Sequence, residues 1–423
     1  MYSAERQLPQ LILEVSDKEL GLLGYLVIDR ILGSATGGVR MRDGLTLDEV
    51  AALASEMTLK FAFLNIPQGG AKAGVIWNPF SSDEERRRIF TAFGKNLGPL
   101  ITKRIYFPGE DMGTCSRDIY HILRGAGIDI QTKSLSGYYT ALTVFITAEK
   151  LSSSLGLRLS GSRVAIEGLG KVGSCVAKAF SHADANIVGI STIKGGLYNP
   201  EGIDIVRFNQ LKKEAGDEVV NCYPDAETIS KESLLALDVD ILVPCAGPYT
   251  ITKDNVHQLK AKMVVAGANL AATAEAESLM FDRGIHYVPC FVSSSGGILA
   301  YFLLAQGFSE THVQTLMKNG FGRKVSRLIE TSRKEHISLS QKTREIAERN
   351  LERSEQWDGL KCREKLLELL SGRQTSGFRE LLKFCLWRCY KLSLKFKTSF
   401  LLKSFAAKYV EHKLFNDDCP LID

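Results

Sequence analysis

Residues 163–173 have the sequence RVAIEGLGKVG, which indicates the fold of the second half of the chain. Its first five residues are mostly apolar and predict a buried β-strand, and residues 171–182 have the pattern of an amphipathic helix. Between them the glycines follow the G-x-G-x-x-G spacing of a dinucleotide-binding turn. The first glycine permits a tight turn, the second lets a pyrophosphate approach the backbone, and the third lets helix and strand pack closely. The alternative is a glycine-rich turn that binds nothing.

Strands and helices alternate on both sides of this turn. Further strands are predicted at 186–191, 240–243, 263–266 and 286–289. Such alternation is typical of a parallel, doubly wound sheet, so we predict a Rossmann-type NAD(P)-binding domain over residues 136–300. Phosphate-binding positions in the turn, next to the free N–H groups of the helix N-terminus, are predicted at Gly168, Gly170, Lys171, Val172 and Gly173.

The second strand of the domain ends without a carboxylate. An acidic residue at this point normally binds the adenosine ribose, but the sequence here is Ser191-Thr192-Ile193-Lys194. Thr192 takes the expected place, and a neutral residue with a lysine nearby would tolerate a 2′-phosphate. We therefore predict Thr192 at the ribose and expect NAD or NADP as the cofactor.

The first part of the chain also mixes helices with short strands. A helix is predicted at 45–64, where Thr46 and Glu49 form a capping-box pattern. The segment 67–70 breaks it, with Gly69 and Gly70 turning the chain, and a short strand is predicted at 75–77. We expect an α/β substrate domain over residues 1–135, completed by helices from about 301–354, and a basic helical extension over residues 355–423.

Seven short motifs resemble those of the glutamate/leucine/phenylalanine/valine dehydrogenase family, in the right order over about residues 20–350. They are GGVRM at 37–41, MTLK at 57–60, PQGGAKAG at 67–74, YFPGEDMGT at 106–114, GAN at 267–269, TAEA at 273–276 and SGG at 295–297. The resemblance implies a two-domain enzyme that deaminates an L-amino acid to a 2-oxo acid and ammonium while hydride passes to NAD(P).

The resemblance also assigns site residues. It implies that Lys60 holds the substrate α-carboxylate, that Lys72 is the catalytic lysine with a lowered pKa, and that Asp111 moves protons as a general acid and base. Gly38 and Gly70 are implied at the substrate, and Thr140 and Asn269 beside the nicotinamide. The alternatives are structural: a solvated helix lysine, a surface-loop lysine, an N-cap aspartate, and a threonine and an asparagine in turns.

Some positions depart from the family pattern and bear on the substrate. Family members that use glutamate carry a lysine before the first glycine pair, whereas this chain has Thr36. The missing charge favours leucine, phenylalanine or valine over glutamate.

Near the nicotinamide, Cys290 and Ser294 replace the usual aspartate and asparagine. Together with Thr192, these replacements motivate one alternative, a catalytically weak dinucleotide-binding homologue that acts as a regulator or scaffold through its tail. A second alternative is an enzyme of the same reaction type with an unusual substrate.

Composition limits the remaining classes of function. The nine cysteines form no Cys-x-x-Cys pair and the seven histidines show no ligand spacing, so no disulfide framework or metal site is expected. The first residues lack a signal-peptide pattern and no apolar run reaches membrane-spanning length, which favours the cytoplasm. Residues 1–354 carry a net charge of only +1, so no nucleic-acid partner is expected, whereas a homo-oligomer is.

The last residues carry most of the basic excess. Residues 355–423 hold 13 lysines and arginines against 9 aspartates and glutamates, with aromatic residues interleaved between 379 and 413. A basic amphipathic helix can bind an anionic membrane or an acidic partner. The other interpretation, which we favour, is a helical extension that packs on the body or completes an oligomer.

Overall fold

The computed structural model describes residues 8–131 and 136–355, together with Glu411, Leu414 and Phe415. Contacts divide the chain into two compact units, one formed by residues 1–134 and 346–423 and the other by residues 135–345. Each unit is built on a β-sheet covered by helices. The predicted α/β fold with a doubly wound second sheet is confirmed.

The first unit contains a mixed five-stranded sheet in the order β1-β2-β4-β3-β5. Strands β3, β4 and β5 are parallel to one another, and β2 pairs antiparallel with both β1 and β4. The elements are β1 (Leu11–Asp17), β2 (Gly21–Ile28), β3 (Ala35–Met41), α1 (Leu47–Phe63), β4 (Gly69–Val75), α2 (Asp83–Thr102), β5 (Tyr106–Glu110), α3 (Ser116–Gly125) and the C-terminal part of α14 (Leu339–Glu355).

Period-two alternation along β4 decides which side chains face which helices. Ala71, Ala73 and Val75 belong to the core that includes residues of α2 and α3. The intervening positions face α1, since a Cβ on Gly70 would meet Thr58 and Ala54, and one on Gly74 would meet Leu45 and Val50. Lys72 therefore lies on the α1 face of the sheet.

The local prediction around Lys72 was wrong in one respect. Gly69 and Gly70 form the start of β4 rather than a turn, and the strand ends at Val75 instead of beginning there. Both glycines are needed for close approach, because a Cβ would lie 1.7 Å from the carbonyl oxygen of Arg30 at Gly69 and 2.1 Å from the amide nitrogen of Thr58 at Gly70. A strand of small residues carries little β propensity, so packing against its neighbours stabilises it.

The second unit contains a seven-stranded sheet in the order β12-β11-β10-β6-β7-β8-β9. The first five of these strands are parallel, whereas β8 and β9 are an antiparallel addition at the edge. The strands are β6 (Arg163–Glu167), β7 (Asn186–Thr192), β8 (Gly195–Tyr198), β9 (Glu227–Ile229), β10 (Ile241–Pro244), β11 (Met263–Val265) and β12 (His286–Val288). The five parallel strands were predicted from the sequence, and the two short edge strands were not.

Helices of this unit cover both faces of the sheet. They are α4 (Ser136–Ser154), α5 (Lys171–Ser181), α6 (Ile205–Ala215), α7 (Val219–Cys222), α8 (Lys231–Leu235), α9 (Ala274–Asp282), α10 (Cys290–Ser293), α11 (Gly296–Ala305), α12 (Glu310–Leu316) and α13 (Gly322–Glu335). Residues 301–345, assigned to the substrate domain from sequence, group by contact with this unit, where α11 and α13 pack on α4.

Two further predictions concern the ends of the chain and membranes. Most of the extension at 355–423, including its aromatic residues between 379 and 405, lies outside the described residues. Within the part of the chain that is described, no helix combines the length and the apolar character required to cross a bilayer.

Candidate active site

Lys72 lies in the middle of β4 with its side chain buried against α1. Its side chain is 2% exposed, and its Nζ lies 2.8 Å from Oδ2 of Asp111. Asp111 follows β5 directly, and β3 separates β5 from β4 in the sheet. Parallel strands β3 and β5 end at the same edge, which is how Asp111 reaches a lysine two strands away. The structure thus brings together the two residues that the resemblance implies for catalysis.

Arg40 on β3 is a third charged group at this site, to which the sequence analysis gave no role. Its Nε donates to Oδ2 of Asp111 at 2.8 Å, and its NH1 donates to Oε1 of Glu49 on α1 at 3.0 Å. The sequence did contain a sign of this role, because Arg40 lies between the apolar Val39 and Met41 in the motif GGVRM. Only the fold shows that its side chain is buried beside Asp111.

The charges at the site shift the pKa values of both partners. Burial lowers the pKa of Lys72, and the positive charges of Arg40 and Lys60 lower it further, while Asp111 opposes the shift. Burial alone would raise the pKa of Asp111, but Arg40 and Lys72 outweigh it and hold that pKa well below its usual range. The site therefore contains an ionised carboxylate beside a lysine that loses its proton more easily than usual.

Lys60 lies near the end of α1 and is also buried. Its charge acts on Lys72 because α1 packs closely on β4 at Gly70. A side chain at residue 70 would push α1 away from β4. Gly70 thus fixes the spacing between the helix and the strand that carry the two lysines.

The turn after β5 is held in place by main-chain contacts with β3. A Cβ on Gly38 would lie 2.8 Å from Cβ of Asp111, so only glycine admits the aspartate here. Gly113 has a φ of +79° and touches Met41. Thr114 accepts from the amide of Asp111 at 3.0 Å and donates to the carbonyl of Val39 at 2.8 Å. These contacts fix the position of the Asp111 carboxylate.

Thr36 lies on β3 in the same alternating set as Gly38 and Arg40. Its Oγ1 accepts a hydrogen bond from Nε2 of Gln68, which precedes β4. The position that would carry a lysine in a glutamate-binding site is therefore occupied by a neutral hydroxyl with a neutral amide partner.

In the second unit, the glycine-rich turn has the geometry expected of a dinucleotide site. Gly168 has a φ of +86°, and a Cβ on Gly173 would lie 2.0 Å from the carbonyl of Gly168, so both glycines are needed for the turn and for packing. A Cβ on Gly170 would meet nothing within 4 Å. The open side of Gly170, together with the N-terminus of α5 at Lys171 and Val172, fits a pyrophosphate.

Thr192 ends β7, as the ribose position requires, but its hydroxyl is already engaged. Its Oγ1 donates to the carbonyl of Asp217 at 2.7 Å and accepts from the amide of Lys194 at 3.2 Å. The Lys194 ammonium pairs with Oε1 of Glu218 at 2.8 Å. Two acidic residues thus lie beside a strand end that has none of its own.

The two residues predicted at the nicotinamide lie on separate elements of the same unit. Thr140 lies on α4. One turn further along that helix, Oγ1 of Thr143 accepts a hydrogen bond from the amide of Gly296, the first residue of α11, at 2.9 Å. Asn269 follows β11, in a segment whose Gly267 and Ala268 amides donate to the carbonyl of Pro244 at the end of β10. Asn269 is therefore at the carboxyl edge of the parallel strands, where ligands of such sheets bind.

Ser294, which replaces the usual asparagine, and its two neighbouring serines have structural partners. Oγ of Ser294 donates to the carbonyl of Cys290 at 2.7 Å, and Oγ of Ser295 donates to that of Val292 at 2.7 Å. Ser293 donates to the carbonyl of Ala266. All three serines are buried. Their hydroxyls form hydrogen bonds within and next to the short helix α10 and to the residue that follows β11.

Comparison with known proteins covers both units. Residues 135–359 match the family model described as Glutamate/Leucine/Phenylalanine/Valine dehydrogenase, and residues 16–126 match that of the Glu/Leu/Phe/Val dehydrogenase dimerisation domain. The chain is 36% identical to a glutamate dehydrogenase of Thermotoga maritima over 66% of this chain and 71% of that protein. It is 32% identical to an NAD-specific glutamate dehydrogenase of Staphylococcus aureus over 73% of this chain and 79% of that protein.

The fold is also similar to that of a solved relative. The hetero-hexameric glutamate dehydrogenase of Thermus thermophilus, in its Leu-bound form, superimposes with a TM-score of 0.74 at 27% identity, covering 84% of this chain and 90% of that chain. The matches span both units and include every motif on which the resemblance rested. The chain therefore belongs to the glutamate/leucine/phenylalanine/valine dehydrogenase family and is, as predicted, an NAD(P)-dependent amino-acid dehydrogenase.

Proposed function

We propose that the chain catalyses the reversible oxidative deamination of an L-amino acid with an apolar or aromatic side chain, giving a 2-oxo acid and ammonium. The observation that carries this proposal is the buried pair of Lys72 and Asp111, 2.8 Å apart and next to Arg40. The deamination needs a group that exchanges protons with the substrate near neutral pH, and a lysine with a lowered pKa can do so.

Each charged residue has a distinct task in this proposal. Lys60 binds the α-carboxylate of the substrate. Asp111, ionised at rest, takes the proton from the substrate nitrogen, so that the nitrogen lone pair can form the imine as hydride leaves. Lys72 then takes a proton from the water whose oxygen bonds to the α-carbon, stabilises that oxygen, and later releases the proton to solvent. Asp111 returns its proton to the nitrogen, and as the C–N bond breaks the carbinolamine hydroxyl loses its proton to Asp111, which passes it to the departing ammonia. Arg40 is a positioning residue that keeps Asp111 ionised and in place.

The dinucleotide, when bound, supplies the acceptor for the hydride of the substrate α-carbon. The turn from Gly168 to Gly173 would hold its pyrophosphate, with Lys171 and Val172 at the helix N-terminus. Thr140 and Asn269 are proposed beside the nicotinamide and Thr192 near the ribose. In this arrangement residues 1–134 bind the amino acid and residues 135–345 bind the cofactor.

The preference for apolar side chains is supported by Thr36. Binding a second carboxylate at this position would need a cation, whereas Thr36 is bonded to the neutral Gln68. An anion without a compensating charge in a partly buried site is strongly disfavoured. Glutamate should therefore be a poorer substrate than leucine, valine or phenylalanine.

A substrate panel tests this proposal. L-amino acids are offered with NAD and with NADP, and reduced nicotinamide is followed by its absorbance. Thr36→Lys should raise kcat/KM for glutamate relative to leucine, while Thr36→Met, of similar length but uncharged, should not. Turnover of no amino acid with either dinucleotide would contradict the proposed reaction. A clear preference of the unmodified protein for glutamate would contradict only the proposed substrate class.

The proposal also includes an oligomeric state and a cellular location. A match to a dimerisation-domain model over residues 16–126 supports a homo-oligomer, and the predicted location in the cytoplasm stays part of the proposal. The alternative of a catalytically weak scaffold is not favoured, because Lys72 and Asp111 are both present and paired.

A further inference from the structure

Three segments of the second unit converge beside the glycine-rich turn. Nζ of Lys212, on α6, donates to the carbonyl of Leu169 inside the turn, and it lies 3.4 Å from Oδ1 of Asp217. The carbonyl of Asp217 accepts from Oγ1 of Thr192 at the end of β7. Lys212 and Asp217 therefore bridge the glycine turn and the end of the second strand of the parallel sheet.

This is the space in which a doubly wound domain holds the adenosine ribose. The strand end itself provides no carboxylate, but Asp217 is brought there from a single 3-10 turn, Gly216–Glu218, after α6. Gly216 has a φ of +58°, a conformation that turns the chain sharply at the end of the helix. The side chain of Asp217 is 40% exposed, so a ligand can reach it.

The cations at this position are already neutralised. Lys212 is paired with Asp217 and also held on the carbonyl of Leu169, and Lys194 is paired with Glu218 at 2.8 Å. A 2′-phosphate would have to displace a carboxylate from a lysine and would then lie against two negative charges. A free ribose diol can instead donate hydrogen bonds to the Asp217 carboxylate, and hydrogen bonds to a charged acceptor are strong.

We infer that Asp217, supplied by the turn after α6, is the residue that selects NAD(H) over NADP(H) in this chain. The inference rests on the proposed function only in taking the glycine turn as the dinucleotide site. It also narrows the expectation from sequence, in which the neutral Thr192 and the nearby Lys194 left both dinucleotides open. Lys212 orients Asp217 and is not itself free to bind a 2′-phosphate.

Binding of NADH and NADPH, measured separately by the fluorescence of the reduced nicotinamide, tests the inference without turnover. The unmodified protein should bind NADH roughly tenfold or more tightly than NADPH, the range expected for hydrogen bonds to a charged group. Asp217→Asn should weaken NADH binding and strengthen NADPH binding, because it removes the charged acceptor and releases Lys212. Asp217→Asn/Glu218→Gln should shift the ratio further toward NADPH.

Asp225→Asn is the matched control. Asp225 is an exposed aspartate of the same unit, paired with Arg207 at 3.7 Å, and its substitution should leave the ratio of the two affinities unchanged. Equal or tighter binding of NADPH by the unmodified protein, or an unchanged ratio in Asp217→Asn, would overturn the inference and leave the proposed reaction standing. Binding of neither dinucleotide would overturn both.

Discussion

At the scale of single residues, the site is a cluster of buried charges. Lys72 and Arg40 are buried beside Asp111. Glu49 pairs with Arg40, and the charge of the buried Lys60 acts on Lys72. Burying charge is costly, and a buried ion pair is weak evidence of a stabilising role. A cluster of this kind that shifts pKa values is more typical of a functional site.

The first prediction concerns Lys72. Lys72→Ala and Lys72→Met should lower kcat by roughly 10²–10⁴-fold, the usual contribution of a general acid or base. Binding of NADH should change little, because the glycine-rich turn belongs to the other unit. Asp111→Asn should lower kcat similarly, since the amide cannot accept the proton. Initial-rate kinetics and nucleotide fluorescence measure the two effects.

Lys95→Ala, at an exposed position on α2, is the control for Lys72 and should leave turnover unchanged. Lys72→Met retains much of the buried stem, so it separates the loss of the amine from the loss of packing. Turnover close to that of the unmodified protein in Lys72→Met would rule out the assigned role of the lysine.

The second prediction concerns Glu167, which ends β6 immediately before the glycine turn and is only 8% exposed. Burial raises the pKa of Glu167 to about 7, although the amide of Ala246 and the hydroxyl of Thr250 donate to it and Lys231 also favours its ionised form. Because this raised pKa belongs to the folded state, the protein gains stability from neutral Glu167 at low pH. That contribution is lost as the pH rises from about 4.5 to about 7.

Glu167→Gln should therefore be more stable than the unmodified protein at pH 8 and closely similar to it near pH 4.5. From 1.36 kcal/mol per pKa unit, the difference in the free energy of unfolding at pH 8 should be on the order of 3 kcal/mol. Thermal unfolding at both pH values measures it. Glu201→Gln, at an exposed position of the same unit, is the control for the loss of one carboxylate. A melting temperature that is unaffected at pH 8 would contradict the prediction.

At the scale of elements, the sequence predicted the five parallel strands of the second unit from their apolar runs, and the helix after the glycine turn from its helical periodicity. β4 was misread, since Gly69, Gly70 and Gly74 carry no side chain from which a strand can be recognised. The resemblance supplied Lys60, Lys72 and Asp111, but it could not supply Arg40 as their neighbour. The role of Asp217 could not be predicted from the sequence, because Asp217 and Thr192, which are in contact, are 25 residues apart in the chain.

The third prediction tests the spacing between α1 and β4. Gly70→Ala would place a Cβ 2.1 Å from the amide nitrogen of Thr58, so the helix must shift away from the strand. Overpacking of this kind costs roughly 1–3 kcal/mol. Turnover should fall as well, because Lys60 on the helix and Lys72 on the strand would separate. Thermal unfolding and kcat/KM are the two measurements.

Gly98→Ala is the matched control in the same unit. Its Cβ would have a nearest neighbour at 3.8 Å, and alanine within α2 should stabilise the helix by up to about 1 kcal/mol. If Gly70→Ala behaves like Gly98→Ala, the close packing of α1 on β4 does not hold the two lysines together.

At the scale of the whole molecule, charge and burial give different expectations for the end of the chain. Residues 1–354 have a net charge of +1 and residues 355–423 one of +4, so any attraction to an anionic surface must come from the latter. Yet Leu414 and Phe415, within this basic stretch, are only 2% and 4% exposed. Burial of two large apolar side chains favours packing against other parts of the protein over binding to a membrane.

The fourth prediction separates these two roles of residues 355–423. Truncation after Ser354 removes both the charges and the apolar side chains, whereas Leu414→Ser/Phe415→Ser removes only the latter. If the segment packs on the body, both variants should melt at a lower temperature or elute as a different oligomer, because apolar surface becomes exposed.

If the charges instead bind an anionic surface, the unmodified protein should sediment with phosphatidylserine vesicles at about 0.1 M salt and be released at about 1 M, since the Debye length falls from about 10 Å to about 3 Å. The double-serine variant retains all 13 basic residues and would then still sediment, while the truncated chain would not. We expect the first result, because contacts of buried side chains are lost in the double-serine variant and its charges are not. An unchanged melting temperature and oligomer in both variants would contradict the packing role.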